Sequence, residues 1–166
     1  MFYLETERLR IEHLTLEDAD FILRLLNDSS FLENIGDKGV RNLEDARSYL
    51  RDGPMASYKE NGFGLFRVSN KHSGAVIGMC GLISREVLDD VDIGYALLPE
   101  FSGQGYATES ARAVLDFAKE QLHLDPIVAV VSPGNSASVR VLEKLGMEFT
   151  RKVRLDSTQP EIDLFA

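Results

Sequence analysis

The chain has 166 residues, 44% of them hydrophobic, with 18 basic against 27 acidic side chains and a formal charge of −9. That length and apolar content fit one globular domain with a substantial core, and the acidic excess works against general nucleic-acid binding, which needs a basic patch. The charge suits a cationic acceptor better, while any polyanionic cofactor would need a local positive site to overcome it.

No apolar stretch approaches the length of a membrane span, and Glu5, Glu7 and Arg8 stand where a signal peptide would carry its apolar segment. The single cysteine, Cys80, lies in the apolar run VIGMCGLI, so no intrachain disulfide can form and a cytoplasmic location is the simplest expectation. A buried strand residue is the natural reading of Cys80, against a catalytic thiol.

Taken in order, Leu9 and Ile11 alternate with Arg8, Arg10 and Glu12, which predicts a first strand. Thr15 with Asp18 reads as a helix cap, and Ala19, Ile22, Leu23, Leu25 and Leu26 form the apolar stripe of the helix that follows, to about Asn27. The segment from Ser29 to Asp37 is less regular. Asn42 with Asp45 caps a second helix, which Gly53-Pro54 is expected to interrupt. Phe63 to Val68 and Ala75 to Ile83 read as a hairpin around the turn from Asn70 to Gly74, and a third strand begins at Val91.

That third strand alternates Val91, Ile93, Tyr95 and Leu97, meets Pro99, and passes through a short loop carrying Gly103 and Gly105 into a long helix. Ala107, Ala111, Val114, Leu115, Ala118 and Leu122 recur at helical spacing on one face. The first amides of such a helix have no partners inside it and point out of its positive end, and glycines there let phosphate oxygens come close to the main chain. The same two glycines could also serve only to shape a turn. A P-loop is excluded because Tyr106 and Ala107, not Lys and Ser or Thr, follow Gly105, and a dinucleotide fingerprint lacks its third glycine. Beyond the helix, Ile127 to Val131 is a hydrophobic strand and Asn135 opens a short helix through Leu145 with Gly146 as its C-cap. Met147 to Leu155 and Glu161 to Phe165 close the chain as a hairpin.

The run YALLPEFSGQGYATESARAVLDFA, with NSASVRVLEKLGMEF downstream, resembles the GNAT superfamily of acetyl-CoA-dependent N-acetyltransferases. Within it, the likeness is to the RimJ/RimL-like branch of ribosomal-protein-alanine acetyltransferases, and it extends over nearly the whole chain. The resemblance implies an α+β GNAT fold of order βααβββαβαββ, with a mixed, mostly antiparallel sheet flanked by helices, as a single domain over residues 1–166.

It also implies acetyl-CoA as cofactor and an amine-bearing acceptor, either a protein N-terminus or a small molecule such as a polyamine or aminoglycoside. No nucleic acid or membrane partner is expected, and the chain would be a monomer or homodimer. The family's loop pattern places Ser102, Gly105 and Ala107 at its key positions, with Ser102 departing from the usual Gln or Arg. The cofactor's pyrophosphate would meet the amides of Gly103, Gln104, Gly105, Tyr106, Ala107 and Thr108. Its pantetheine arm would pair like a strand with the main chain from Tyr95 through Leu97 and Leu98.

Asn135 and Ser138 occupy the family's NxxS positions, where capping is the plainer role for Asn135 and a cofactor contact the one the motif implies. Many members protonate the departing thiolate from a tyrosine seven residues after that asparagine. Here the position is Leu142, which leaves Ser138 or a bound water. Asp92 matches an acidic position in the family's strand motif and is the candidate base, one methylene shorter than the usual Glu. His13, His72 and His123 show no ligand spacing and are assigned neither metal nor general-base duty. A non-catalytic acyl-CoA-binding module that has lost its proton donor is the competing reading.

Overall fold

A computed structural model describes residues 2–166. Five strands, β1 (Tyr3–Glu5), β2 (Leu9–His13), β3 (Leu65–Asn70), β4 (Val76–Ile83) and β5 (Asp92–Leu97), form one antiparallel sheet in sequence order. Three more, β6 (Ala129–Val131), β7 (Phe149–Val153) and β8 (Ile162–Phe165), form a second sheet ordered β6-β8-β7. The helices are α1 (Ala19–Leu26), α2 (Ser29–Asn34), α3 (Leu43–Leu50), α4 (Ala56–Asn61), α5 (Tyr106–Glu120) and α6 (Ser136–Lys144). The expected order is present with additions. A short strand β1 precedes the first expected one, and the irregular segment after Asn27 holds α2, which is capped by Asp28.

Gly53-Pro54 does not break the chain out of helix. Residues Arg51–Met55 form a wide helical turn between α3 and α4, in which the loss of the proline's donor is absorbed by longer-range pairing. The cap boxes are as the sequence predicts: Thr15 accepts from Glu17 N while Asp18 accepts from Thr15 N at 2.8 Å, and Asn42 accepts from Asp45 N at 2.8 Å.

The period-2 alternation of the strands divides the core between the two faces of the five-stranded sheet. One cluster gathers Leu9, Ile11, Phe66, Val68, Ile93 and the inner face of α5 (Ala111, Val114, Ala118). The other gathers Met79 and Leu98 with Ile22, Leu25, Ala46 and Leu50 of α1 and α3. Val114 is fully buried, and the burial of a side chain that size contributes about 1.5–3 kcal/mol. Cys80 is fully buried in the first cluster and its thiol is pushed up to about 12 by that burial, so it is an inert core residue.

The two sheets meet at one place. Asp92 and Val128 form a parallel bridge, with Ile93 N bonded to Val128 O at 2.8 Å and Val128 N to Val91 O at 3.0 Å. Past that bridge β5 continues beside β4 and β6 turns to pair with β8, so the two strands part and a wedge opens between them.

Candidate active site

The wedge between β5 and β6 leaves part of a strand edge free. In an antiparallel pair, successive residues point their N–H and C=O alternately towards and away from the neighbour. Ile93 bonds outward to Val128, and Leu98 bonds inward to Ile77 O at 2.9 Å. By that alternation Tyr95 and Leu97 direct their main-chain groups into the wedge, while Ala96 and Leu98 direct theirs to β4. Leu98 is therefore a correction to the sequence reading: its N–H is already spent within the sheet, and its side chain is buried under α1 and α3.

The outer end of the wedge is the glycine loop. Gly103 and Gly105 have φ of +73° and +83°, conformations that favour glycine on backbone grounds alone, so the turn-shaping role is real. The first helical bond of α5 is Glu109 N to Gly105 O at 3.0 Å, which leaves the amides of Tyr106, Ala107 and Thr108 without helical acceptors. Every other α-helix that starts from a loop among the described residues has a capping side chain: Asp28, Asn42 or Asn135. The N-cap of α5 is a glycine and supplies none. The longest helix thus presents bare donors at its positive end.

The Ser102 hydroxyl donates back to Pro99 O at 2.5 Å, and the Gln104 side chain likewise donates to Glu100 O at 3.1 Å, so neither brings a charge to the loop. The cation at the loop comes from elsewhere. Arg8 Nη1 donates to Gln104 O at 2.9 Å, its guanidinium lies 4.3 Å over the Tyr106 ring, and its Nε pairs with Glu109 Oε1 at 2.7 Å. Glu109 also accepts from Thr6 Oγ1 and Arg8 N, and these bonds with the guanidinium hold its carboxyl below the usual range against the cost of burial. Sequence reasoning passed over Arg8 as one polar residue of an alternating strand. A separation of 101 residues leaves no periodic signal for such a contact.

On the far side of the wedge, Asn135 caps α6 by accepting from Ser138 N at 3.2 Å, so its plainer role is present. Ser138 Oγ is 2.8 Å from Tyr95 Oη, and Tyr95 Oη also lies 3.3 Å from Ser138 O. This contact spans the wedge from β5 to α6. Burial, partly offset by that bond, pushes the Tyr95 phenol up to about 12, so it stays protonated and can donate. Leu142, where a tyrosine would stand, is fully buried in the core and faces no solvent.

Asp92 sits at the closed end, 1% exposed, with Arg85 Nε donating to it at 3.1 Å. Burial raises its pKa, and the Arg85 charge and hydrogen bond only partly oppose that rise. Asp92 shares a strand face with Ala96, four residues on, roughly 13 Å along the strand at about 3.3 Å per residue. A hollow of about 600 Å³ runs along the flank of α5 from the glycine loop at Gly105 and Thr108, its charged lining mixing Glu5, Glu109 and Asp116 with Arg112 and Lys144. That mixed lining marks no charge preference by itself, so the wedge and the bare amides define the site better than the volume does.

Comparison with known proteins agrees with this architecture. The acetyltransferase (GNAT) domain family matches residues 8–148. The uncharacterized protein YkkB of Bacillus subtilis is 30% identical over 156 residues, covering 91% of this chain and 88% of that protein. The crystal structure of the acetyltransferase from Agrobacterium tumefaciens superposes with a TM-score of 0.84 at 25% identity, covering 99% of this chain and 93% of the other. RimL, a ribosomal-protein α-N-acetyltransferase solved in complex with coenzyme A, has the same fold with a TM-score of 0.84 at 14% identity, covering 99% and 96%.

Proposed function

The chain belongs to the GNAT acetyltransferase family, and we propose that it moves the acetyl group of acetyl-CoA to a free α-amine by direct attack within a ternary complex. The observation that carries this reading is the wedge itself. It combines a free strand edge at Tyr95 and Leu97, uncapped amides at one end, and hydroxyls from β5 and α6 meeting across the gap.

In this reading the amides from Gly103 to Thr108 hold the pyrophosphate, with Arg8 adding positive charge beside them. The pantetheine arm lies along β5 and exchanges main-chain bonds with Tyr95 and Leu97 as an added strand would. Attack of a neutral amine on the thioester carbonyl requires a proton to leave the amine and one to reach the departing thiolate. Asp92, with its raised pKa, takes the first through water, because its carboxylate is buried at the closed end. Ser138 gives the second, with Tyr95 donating to its oxygen so that the serine proton stays free for sulfur.

The α-amine is favoured over a lysine side chain because only the neutral amine attacks. An α-amino group titrates near 7.7–8.0 and lysine near 10.4, a difference of about 3.5 kcal/mol in deprotonation at neutral pH. RimL, named for α-N-acetylation, supports the same choice. The test is acetyl-CoA-dependent thiol release on two peptides of one sequence, one with a free N-terminus and one blocked there but carrying lysines. Faster reaction of the free N-terminus is expected, and equal or faster reaction of the blocked peptide overturns the preference.

A further inference from the structure

The connection from β4 to β5 buries one residue, Leu88, which packs with Val128, Val153 and Leu164 in a small third cluster. Leu88 N donates to Arg85 O at 3.2 Å, so the turn that buries Leu88 also fixes the main chain of Arg85. From that anchor the Arg85 side chain reaches back to the first residue of β5, where its Nε donates to Asp92 Oδ1 at 3.1 Å. Asp92 stands opposite Ile83 in the β4 ladder and is bridged to Val128, just before β6. Both neighbours are apolar, so neither meets the carboxylate with a donor or a charge. Oδ2 accepts no hydrogen bond from any other described residue.

A carboxylate that is 1% exposed is costly to ionise without a partner, and an unpaired one takes up a proton instead. Arg85 is the one ion-pair partner of Asp92 among the described residues. The Arg85 side chain is itself 31% exposed, and neither terminal nitrogen has an acceptor among the described residues, so the guanidinium remains in contact with solvent and stays charged. The same charge acts on the Tyr49 phenol of α3, which burial pushes up to about 12, and on the Lys38 ammonium of the α2–α3 connection, which desolvation lowers. Asp92 meets the charge of Arg85 alone. On the same strand face Gly94 follows Asp92 without a side chain, and Gly94 and Ala96 are both part-exposed. Between the carboxylate and Ala96, β5 thus puts no side chain of its own in the way of a bridging water.

Resting on the acetyl-transfer reading above, in which Asp92 is the base, we propose that Arg85 is its positioning residue: it holds one carboxylate oxygen and supplies the charge that a buried base needs, leaving the other oxygen to receive the amine's proton through water. The proton balance is that of the transfer itself. An N–H bond of the attacking amine breaks, its proton passes by way of water to Oδ2, and Arg85 keeps all of its own. Arg85 neither touches the substrate nor changes protonation, and acts through Asp92.

The test is the pH dependence of kcat/KM for the free-N-terminal peptide in the wild type, Arg85→Gln and Arg85→Lys, each first shown by thermal melt to be folded. The acceptor amine titrates alike in all three, so the ratio of variant to wild type isolates the enzyme's own group. A nearby opposite charge lowers a carboxyl's pKa by about 1–3, so its loss moves the loss of activity to higher pH. Arg85→Gln is therefore expected to run about tenfold or more below the wild type near about pH 6 and to recover to within about threefold by about pH 9, with the KM for acetyl-CoA unchanged. If Arg85→Gln does not fold, Arg85→Lys carries the comparison, because loss of the Nε donor from its fixed place tilts the ratio in the same direction by a smaller amount. A ratio that is flat across pH is what a purely structural role gives, and it overturns the inference. Asp92→Asn separates the two readings: with that variant inactive, a flat ratio removes the role of Arg85 and leaves Asp92 as base. With Asp92→Asn as active as the wild type, the base assignment falls and this inference with it, while acetyl transfer stands.

Discussion

If the bare amides of α5 bind a cofactor's phosphates, a methyl group at Gly105 will remove the binding while the same change at Gly146 will not. Both glycines hold left-handed conformations, with φ of +83° and +86°, so alanine at either costs about 1–2 kcal/mol of backbone strain. For a domain of this length that is roughly 2–8 °C in melting temperature, and the two variants should fall together. They differ in surroundings. An added Cβ at Gly146 meets nothing within 4 Å, whereas at Gly105 it lands 3.3 Å from Arg8 Nη2, on the side from which the guanidinium reaches the loop. Acetyl-CoA at a hundredfold over its dissociation constant adds about 2.7 kcal/mol, or roughly 5–10 °C, to a protein that binds it. Thermal melts with and without saturating acetyl-CoA should therefore show a full shift for the wild type and Gly146→Ala, and less than about 2 °C for Gly105→Ala. A full shift in Gly105→Ala, or none in the wild type, would refute the assignment of the amides.

Ser138→Ala should lower kcat by about 10²-fold or more with little change in the KM for acetyl-CoA, and a change within about threefold would mean that water protonates the thiolate. Tyr95→Phe removes the donor 2.8 Å from Ser138 Oγ and should cost about tenfold in kcat, an effect that vanishes in the Ser138→Ala background if the tyrosine acts only through the serine. Asp92→Asn should abolish turnover without lowering the melting temperature at pH 7. The sign follows from the raised pKa: between about pH 3.9 and the native pKa the folded state holds more protons than the unfolded one, so stability falls as pH rises through that window, and a neutral isostere escapes the loss. A drop of several degrees in the Asn variant would instead make the Arg85 pair a net stabiliser. Gly78→Ala should destabilise by about 1–3 kcal/mol and impair transfer together, because its Cβ would sit 2.2 Å from Ala96 O and push β5 at the wedge; a melt within about 1 °C of wild type would contradict that packing.

The fold was legible wherever local chemistry decided it. Period-2 alternation marked β2 and β5, the turn from Asn70 to Gly74 marked the β3–β4 hairpin, caps at Thr15 and Asn42 marked helix starts, and Gly146, at φ +86°, ends α6 as its place after Leu145 predicted. Where neighbours decided, the sequence misled. The polar-looking β1 is a strand because Tyr3, Leu4 and Glu5 complete the edge of β2, and Pro54 stays helical because the turn widens around it and buries the ring. Neither outcome has a cause within a few residues of the position concerned.

The same division runs through the site. The glycine loop and NxxS were visible because they are contiguous, and both turned out to have structural duties as well: positive φ at the glycines and a cap at Asn135. The side chains that give the site its charge come instead from two separate connections, with Arg8 beside the loop and Arg85 on Asp92. Main-chain amides accept any phosphate, and a strand edge accepts any extended arm, so those parts fix the kind of cofactor and are tied to local sequence. Discrimination among amines needs charges placed at particular distances from the reacting carbonyl, and such distances depend on how connections cross the sheet. Acceptor choice is thus the part of the function for which sequence offers least, and the peptide pair that differs only in a free or blocked N-terminus is where it can be read out directly.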